Sequence, residues 1–469
     1  MAKRSKRGDL ELERRWIWEK ATARDREAIM EFCEGYKTFL DEARTERLAV
    51  RSIVREAESR GFVPLEQVGK GGPGTRFYMV NRNKAIALVV VGSEPIVSGA
   101  NVIASHLDAP RLDLKQRPLY EDGDTRLALF KTHYYGGIKK YQWVSRPLSI
   151  HGVVVKQDGT VIDVHIGDGE GDPVFAIPDL LPHLWGKSQA KRSIPEGIKG
   201  EELNVLVGGI PLKRVEKEKV RKAILRLLNE RYGISEEDLI SAELEVVPAG
   251  RAADVGLDRS FVGAYGQDDR ASVYPQMMAT FEMKRPKRTC ISLFVDKEEI
   301  GSETNTAIQS RFLESVFGAI ADLEGSDTSR TVRTAMERTR AISSDVNAGI
   351  NPMFKDVHEP TNAARLGCGI VLTKFTGAGG KYRSNDAHAE FVALVRRVFN
   401  EGKVPWQPAE LGKVDEGGGG TIAAFLAQHN MDVIDAGPPL LAMHSPFEIS
   451  SKADIHATYR AYTAFFGSA

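Results

Sequence analysis

Between about Asp9 and Arg60 apolar residues recur at helical spacing in a heavily charged background, with Phe32, Tyr36, Phe39, Leu40 and Ala43 on one stripe. This pattern predicts amphipathic helices packed on a core. The pattern then changes. Ile86-Ala-Leu-Val-Val-Val-Gly92 and Ala100-Asn-Val-Ile-Ala-Ser-His106 are short apolar runs rich in β-branched residues, as expected of strands buried in the middle of a sheet. The second run stops at His106.

From about Leu112 to Val247 the chain turns to alternating, strand-like segments such as Leu148–Val155 and Val161–His165, separated by Asp-Gly turns. A basic helix is predicted over Lys217–Tyr232, and the whole block reads as an insertion. Beyond it strands are predicted at Arg288–Val295 and Gly369–Phe375, and helices over Thr306–Glu324 and Ala387–Phe399. Alternation of this kind predicts an α/β fold, a sheet with helices on both faces. There is no internal repeat, and Gly417–Gly420 is the one conspicuous glycine run.

At 469 residues the chain exceeds the size of a single core, so two domains are expected. Sixty-four basic residues balance 64 acidic ones, which argues against nucleic acid or an anionic membrane as partner. Cys33, Cys290 and Cys368 are widely spaced, which fits neither a disulfide framework nor a Cys-rich zinc finger and points to a reducing cytoplasm. The basic Met1–Arg7 arm runs into charged sequence rather than an apolar h-region, so no secretory signal is expected, and no apolar stretch approaches the length of a membrane span.

Candidate chemistry begins at Asp296-Lys-Glu-Glu-Ile-Gly-Ser302, directly after the apolar run Cys290–Val295. A Glu-Glu pair by itself more often opens a solvated helix. At a buried strand's end, however, Glu298 and Glu299 crowd like charges, which is unfavourable without a cation. Four other segments supply ligand types: His106-Leu-Asp108, Gln267-Asp268-Asp269-Arg270, Ser344-Asp345 and Met443-His444-Ser445. Imidazole and carboxylate without thiolate suit zinc, cobalt or manganese, and such a set favours hydrolysis over structural stapling. His106 and Asp108 lie two apart, so alternation puts both on one face, where Asp108 can accept the ring proton of His106.

Taken together, His106-Leu-Asp108, Asp268-Asp-Arg, Glu298-Glu299-Ile-Gly-Ser, Ser-Asp345 and Met-His444-Ser resemble the aspartyl aminopeptidase family, which includes the vacuolar aminopeptidase of yeast. Similarity runs from about Glu31 to Phe466 and includes Tyr135-Gly-Gly137 and Ile177–Leu184. The resemblance implies a mixed-sheet zinc-peptidase catalytic domain in two pieces, 1–111 and 248–469, with an inserted β-rich dimerisation domain over 112–247. It further implies two divalent metal ions, zinc foremost, with His106, Asp345 and bridging Asp268 at one, and Glu299, His444 and the same Asp268 at the other. Glu298 would then be the general base, taking a proton from a water held between the metals. His183 would reach the active site of a neighbouring subunit, in a homo-oligomer expected to be a tetrahedral dodecamer.

The chain departs from the family after Asp345. Where many members carry Asp-x-Ala-His-Ala-x-His-Pro, it has Asp345-Val-Asn-Ala-Gly-Ile-Asn-Pro352, so Ala348 and Asn351 replace two histidines. Selectivity for acidic N-terminal residues therefore does not carry over automatically. Lys374 is the candidate partner for an acidic substrate side chain, with a solvated lysine as the alternative. Gly418 and Gly419, before a helix-like Ile422-Ala-Ala-Phe-Leu, are candidates for close backbone approach to substrate; a phosphate-binding loop lacks its Lys-Ser/Thr here. The expected activity is removal of N-terminal residues from short peptides. The alternatives are a dinuclear hydrolase of other selectivity, such as a Leu/Lys-type aminopeptidase or a deacylase, and a non-catalytic scaffold.

Overall fold

The computed structural model describes residues 10–326 and 328–469; the basic arm Met1–Arg7 lies outside the described residues. At its centre is a nine-stranded mixed sheet with the spatial order Val63–Pro64, Arg76–Asn81, Ala85–Val90, Thr289–Val295, Ala100–His106, Arg340–Ser343, Asp432–Gly437, Ile370–Thr373 and Trp406–Pro408. The four strands from Thr289–Val295 to Asp432–Gly437 are parallel, and antiparallel neighbours flank them on both sides.

Strand alternation assigns the sheet's two faces. Ile86, Leu88, Val90, Ile103 and Phe294 share one core with the helices Ala23–Glu42, Glu46–Glu58, Gln267–Glu282, Ala389–Glu401 and Lys452–Phe466. Ala87, Val89, Val102, Ala104, Ile291 and Leu293 share the other with Phe312–Leu323, Ser329–Glu337 and Ala423–Ala427. Because both faces are covered, these strands read as continuous apolar runs rather than alternating ones. Ala23–Glu42 starts where it does because Thr22 and Asp25 cap each other's backbone N–H groups.

The predicted helix over Thr306–Glu324 begins only at Phe312. Its first residues belong instead to the loop leaving the Glu298 turn, where the Thr306 hydroxyl donates to Asp296 at 2.8 Å. One long helix carries no amphipathic signal. Only Met278 and Glu282 of Gln267–Glu282 escape burial; a helix enclosed on all sides has no polar face to reveal its period.

Between Arg111 and Pro248 the chain forms a separate six-stranded antiparallel sheet, in the order Val161–Ile166, Leu148–Val155, Ala242–Pro248, Arg111–Glu121, Ala128–Tyr135 and Val205–Gly208. It has its own core around Leu112, Phe130, Trp143, Leu148 and Val246. A third, small sheet joins Asn347–Ala348, Pro439–Leu441, Glu448–Ser451, Phe261–Ala264 and Ala253–Val255. Register places Val295 beside His106, Ala104 beside Ser343, and Ser343 beside Asp435. The C-terminal ends of four parallel strands therefore open into one crevice, the usual ligand-binding edge of such sheets.

His456, on the helix Lys452–Phe466, packs against the rings of Phe32 and Tyr459. Burial, helped by Arg460, depresses its pKa from 6.5 to about 4. A folded-state pKa below the unfolded one means that the unfolded chain binds the extra proton first. Stability is thus full above pH 6.5 and declines as pH falls toward 4, by about 3 kcal/mol at most. Urea unfolding at pH 7 and pH 5 should show this slope, and His456→Phe should flatten it.

Candidate metal centre

His106 ends its strand, and its ring Nδ1 donates to the carbonyl of Asp108 at 3.0 Å. That bond puts a proton on Nδ1 and turns Nε2 toward Asp268, whose Oδ1 lies 3.2 Å away. His444 repeats the arrangement from the opposite side. Its Nδ1 donates to the carbonyl of Gly137 at 3.0 Å, and its Nε2 lies 3.2 Å from Oδ2 of Asp268 and 3.4 Å from Oε2 of Glu299. With Nε2 free of its proton, each ring would present a lone pair to a cation held by Asp268.

Two ligand groups result: His106, Asp268 and Asp345, and Asp268, Glu299 and His444, with the donor atoms of each group within 4.8 Å of one another. Asp268 belongs to both and offers one oxygen to each imidazole. The donor set is nitrogen and oxygen, which fits zinc. Oε1 of Glu299 is moreover buried without a hydrogen-bond partner, an atom that a cation would satisfy.

The electrostatics agree with that fit. Burial pushes Asp345 and Glu299 well above the usual carboxylate range, and the neighbouring acids Asp269 and Asp268, respectively, push the same way. Burial opposes charge on His106, yet its contacts with Asp108 and Asp268 hold its pKa well above the ordinary value. Burial likewise raises Glu298 to about 7; His106 opposes this, while Asp108 and Asp268 add to it. Crowded buried acids of this kind are what a bound cation neutralises.

The Glu298-Glu299 pair is aimed by a local turn. Lys297 adopts a left-handed φ of 64°, and the short 3₁₀ turn Glu298–Ile300 follows. Both Glu backbone N–H groups donate to the Asp108 carboxylate, at 3.1 and 3.2 Å, and the Tyr135 hydroxyl donates to it at 2.8 Å. The expected His106–Asp108 contact forms, but not through strand alternation, because the strand ends at His106; His106 Nδ1 lies 3.0 Å from the Asp108 carbonyl and 3.4 Å from its Oδ1. The same carboxylate also anchors the Glu turn.

Sequence reasoning missed Glu448, four residues after His444. Buried, it accepts from the backbone N–H groups of Gln267, Asp268 and His444 at 2.5, 3.1 and 2.8 Å. An acid inside an otherwise apolar and small-residue strand, Glu448–Ser451, was the available signal. Asp269, also missed, accepts from the His106 backbone N–H at 3.3 Å.

The remaining candidates lie apart from these contacts. His183 is exposed on the short helix Pro182–Trp185 of the inserted segment. Lys374 follows the strand Ile370–Thr373 and lies 3.5 Å from Asp386, which also contacts Lys381 at 3.1 Å. Gly419 accepts from Gly377 N–H at 2.7 Å, and a Cβ on Gly418 would run into the Gly377 carbonyl. Those glycines thus let two loops meet. The helix-like stretch beyond them is the five-residue helix Ala423–Ala427, with Ile422 as its N-cap.

Residues 39–466 match the family described as aminopeptidase I zinc metalloprotease, M18. The chain belongs to the M18 family. It is accordingly a metal-dependent aminopeptidase. A probable M18 family aminopeptidase 1 of Thermotoga maritima is 52% identical over 454 residues, covering 97% of this chain and 98% of the relative. The crystal structure of a T. maritima M18 aminopeptidase superposes with a TM-score of 0.93 at 50% identity, covering 97% of this chain and 99% of that one. A structure of the S. cerevisiae mApe1 dodecamer shares the fold at a TM-score of 0.73 and 20% identity, covering 92% and 95%. The M18 assignment agrees with the α/β architecture expected from the sequence. Among the described residues no helix is long and apolar enough to cross a membrane.

Proposed function

We propose that this M18 enzyme removes N-terminal residues from short peptides with two zinc ions, one held by His106, Asp268 and Asp345 and the other by Asp268, Glu299 and His444. The observation that carries this reading is Asp268, whose two oxygens each face the Nε2 of a different imidazole. Zinc in these positions supplies Lewis acidity toward the scissile carbonyl and lowers the pKa of water. Glu298, not a member of either ligand group, takes a proton from the attacking water. As the carbon–oxygen bond forms and the carbon–nitrogen bond breaks, Glu298 delivers that proton to the departing amine. Burial raises its carboxyl in the metal-free site, with Asp108 and Asp268 adding to the rise; bound zinc would oppose that rise. Asp108 keeps Glu298 aimed.

Residues 112–247 form, in this reading, an inserted domain through which subunits associate, with 1–111 and 248–469 as the catalytic domain. Exposed Leu184, Trp185, Ile194 and Ile210 on that segment support a protein contact, and the dodecamer seen for the yeast relative suggests its form. His183, beside Leu184, would then reach a neighbouring subunit's site. Three free, buried cysteines suit a cytoplasmic enzyme. Lys374 is the proposed partner of an acidic N-terminal side chain; its pair with Asp386 is half exposed, and such pairs contribute at most about 1 kcal/mol, so a substrate carboxylate can displace it.

A panel of acidic, basic and apolar aminoacyl chromogenic substrates, each with and without chelator, tests the reading. Chelator-sensitive release is expected, with Asp and Glu derivatives among those cleaved. Preference for apolar residues alone would leave the hydrolase in place and remove the role of Lys374. Absence of release with zinc bound would overturn the peptidase reading in favour of a scaffold or deacylase.

A further inference from the structure

The inserted sheet reaches into the metal centre through one turn. Its strand Ala128–Tyr135 ends in Tyr135-Gly136-Gly137, and this turn makes two contacts with the site. The Tyr135 hydroxyl donates to Asp108 Oδ2 at 2.8 Å, and the Gly137 carbonyl accepts from His444 Nδ1 at 3.0 Å. The first acts on the carboxylate that holds both backbone N–H groups of Glu298 and Glu299. The second fixes the tautomer and orientation of the His444 ring. Glu299 and His444 are the two ligands that, with Asp268, form the second metal group. Both are thus aimed by a turn that belongs to the insertion, not to the sheet that carries the site.

That turn is itself clamped. The Arg111 guanidinium lies 3.9 Å from the centre of the Tyr135 ring, a cation–π contact in a buried setting. Arg111 is the first residue of the insertion's first strand, and it pairs with Glu245, on the insertion's last strand, at 3.2 Å. Both are buried. The chain's exit to and return from the inserted sheet are thereby tied together directly behind Tyr135. Space is equally tight in the turn: a Cβ on Gly136 would come within 3.3 Å of Pro110 and 3.4 Å of Glu299, and one on Gly137 within 3.2 Å of His444 Nδ1. Gly136 also has a φ of 73°, which an L side chain rarely adopts.

Building on the two-zinc reading above, we infer that Tyr135 and Gly137 are positioning residues by which the inserted sheet sets the geometry of the Glu299–His444 metal position. Groups that orient metal ligands in this way typically govern affinity or activity by 10- to 100-fold. At the His106–Asp345 position the turn acts only indirectly, through Asp108, whose Oδ1 lies 3.4 Å from His106 Nδ1, whereas Gly137 bonds His444 itself. The inference therefore predicts an asymmetric effect. Weakening the turn loosens the Glu299–His444 zinc more than the other.

The test is zinc titration of the full-length enzyme, monitored by bound-metal analysis, with kcat and KM in parallel. Gly137→Ala should still bind one zinc as tightly as wild type while the second binds about tenfold more weakly, and Tyr135→Phe should weaken the second position more than the first. Excess zinc should restore most of the lost kcat, with KM little changed. Unaltered affinity at both positions and unaltered kcat in both variants would overturn the inference, as would equal loss at both positions in a variant whose Tm matches wild type. If Tyr135→Phe lowers Tm, Gly137→Ala decides, since it removes no hydrogen-bonding group. Wild type binding fewer than two zinc ions would instead overturn the two-zinc reading, and this inference with it.

Discussion

Glu298→Gln is expected to retain both zinc ions and lose about 10³-fold in kcat, the contribution of a well-placed general base. The substitution is isosteric and leaves intact the backbone N–H bond from residue 298 to Asp108. Glu298 is also outside both ligand groups. What disappears is only a carboxyl able to exchange a proton. Zinc content by elemental analysis and kcat on the best substrate of the panel check this together. Near-normal turnover would move the proton transfer to another group; loss of zinc would make Glu298 a ligand.

Asp268→Ala should release both zinc ions and reduce activity below detection. Each imidazole faces a different oxygen of that one carboxylate, so its removal leaves His106 with only Asp345, and His444 with only Glu299. Two-ligand sites are too poor for zinc, which is usually held by three or four protein groups. The informative controls are Asp345→Ala and Glu299→Ala, each expected to cost one zinc. Retention of one tightly bound zinc in Asp268→Ala would contradict the bridging role.

Much of this arrangement was legible in the chain, for identifiable reasons. Strands such as Ala100–His106 and Leu148–Val155 coincide with their apolar runs, because β-branched residues buried on one or both faces leave an unmistakable stripe. The ligand residues sit immediately after such runs, where strand ends expose side chains to a crevice. The helix Gln267–Glu282 was not legible as a helix, since burial on nearly all sides erased its periodicity. Glu448 and the Tyr135-Gly-Gly137 turn had no readable role either. Each acts through backbone N–H or C=O groups, or through one hydroxyl, on residues brought close only by the fold: Tyr135 lies 27 positions from Asp108, and Gly137 lies 307 from His444. Lys374 was legible as a cation, but its neighbour Asp386 emerges only from the loop geometry.

The Arg111–Pro248 sheet bears on how such enzymes can be recombined. It looks modular, with a core of its own and chain crossings that lie close together at Arg111 and Glu245. A chimera that exchanged this module between relatives at those crossings would nevertheless also exchange the hydroxyl beneath Asp108 and the carbonyl behind His444. A graft that transplants well must therefore match the recipient at the Tyr135–Gly137 turn, and a truncated core made by deleting the module would need substitutes for both groups.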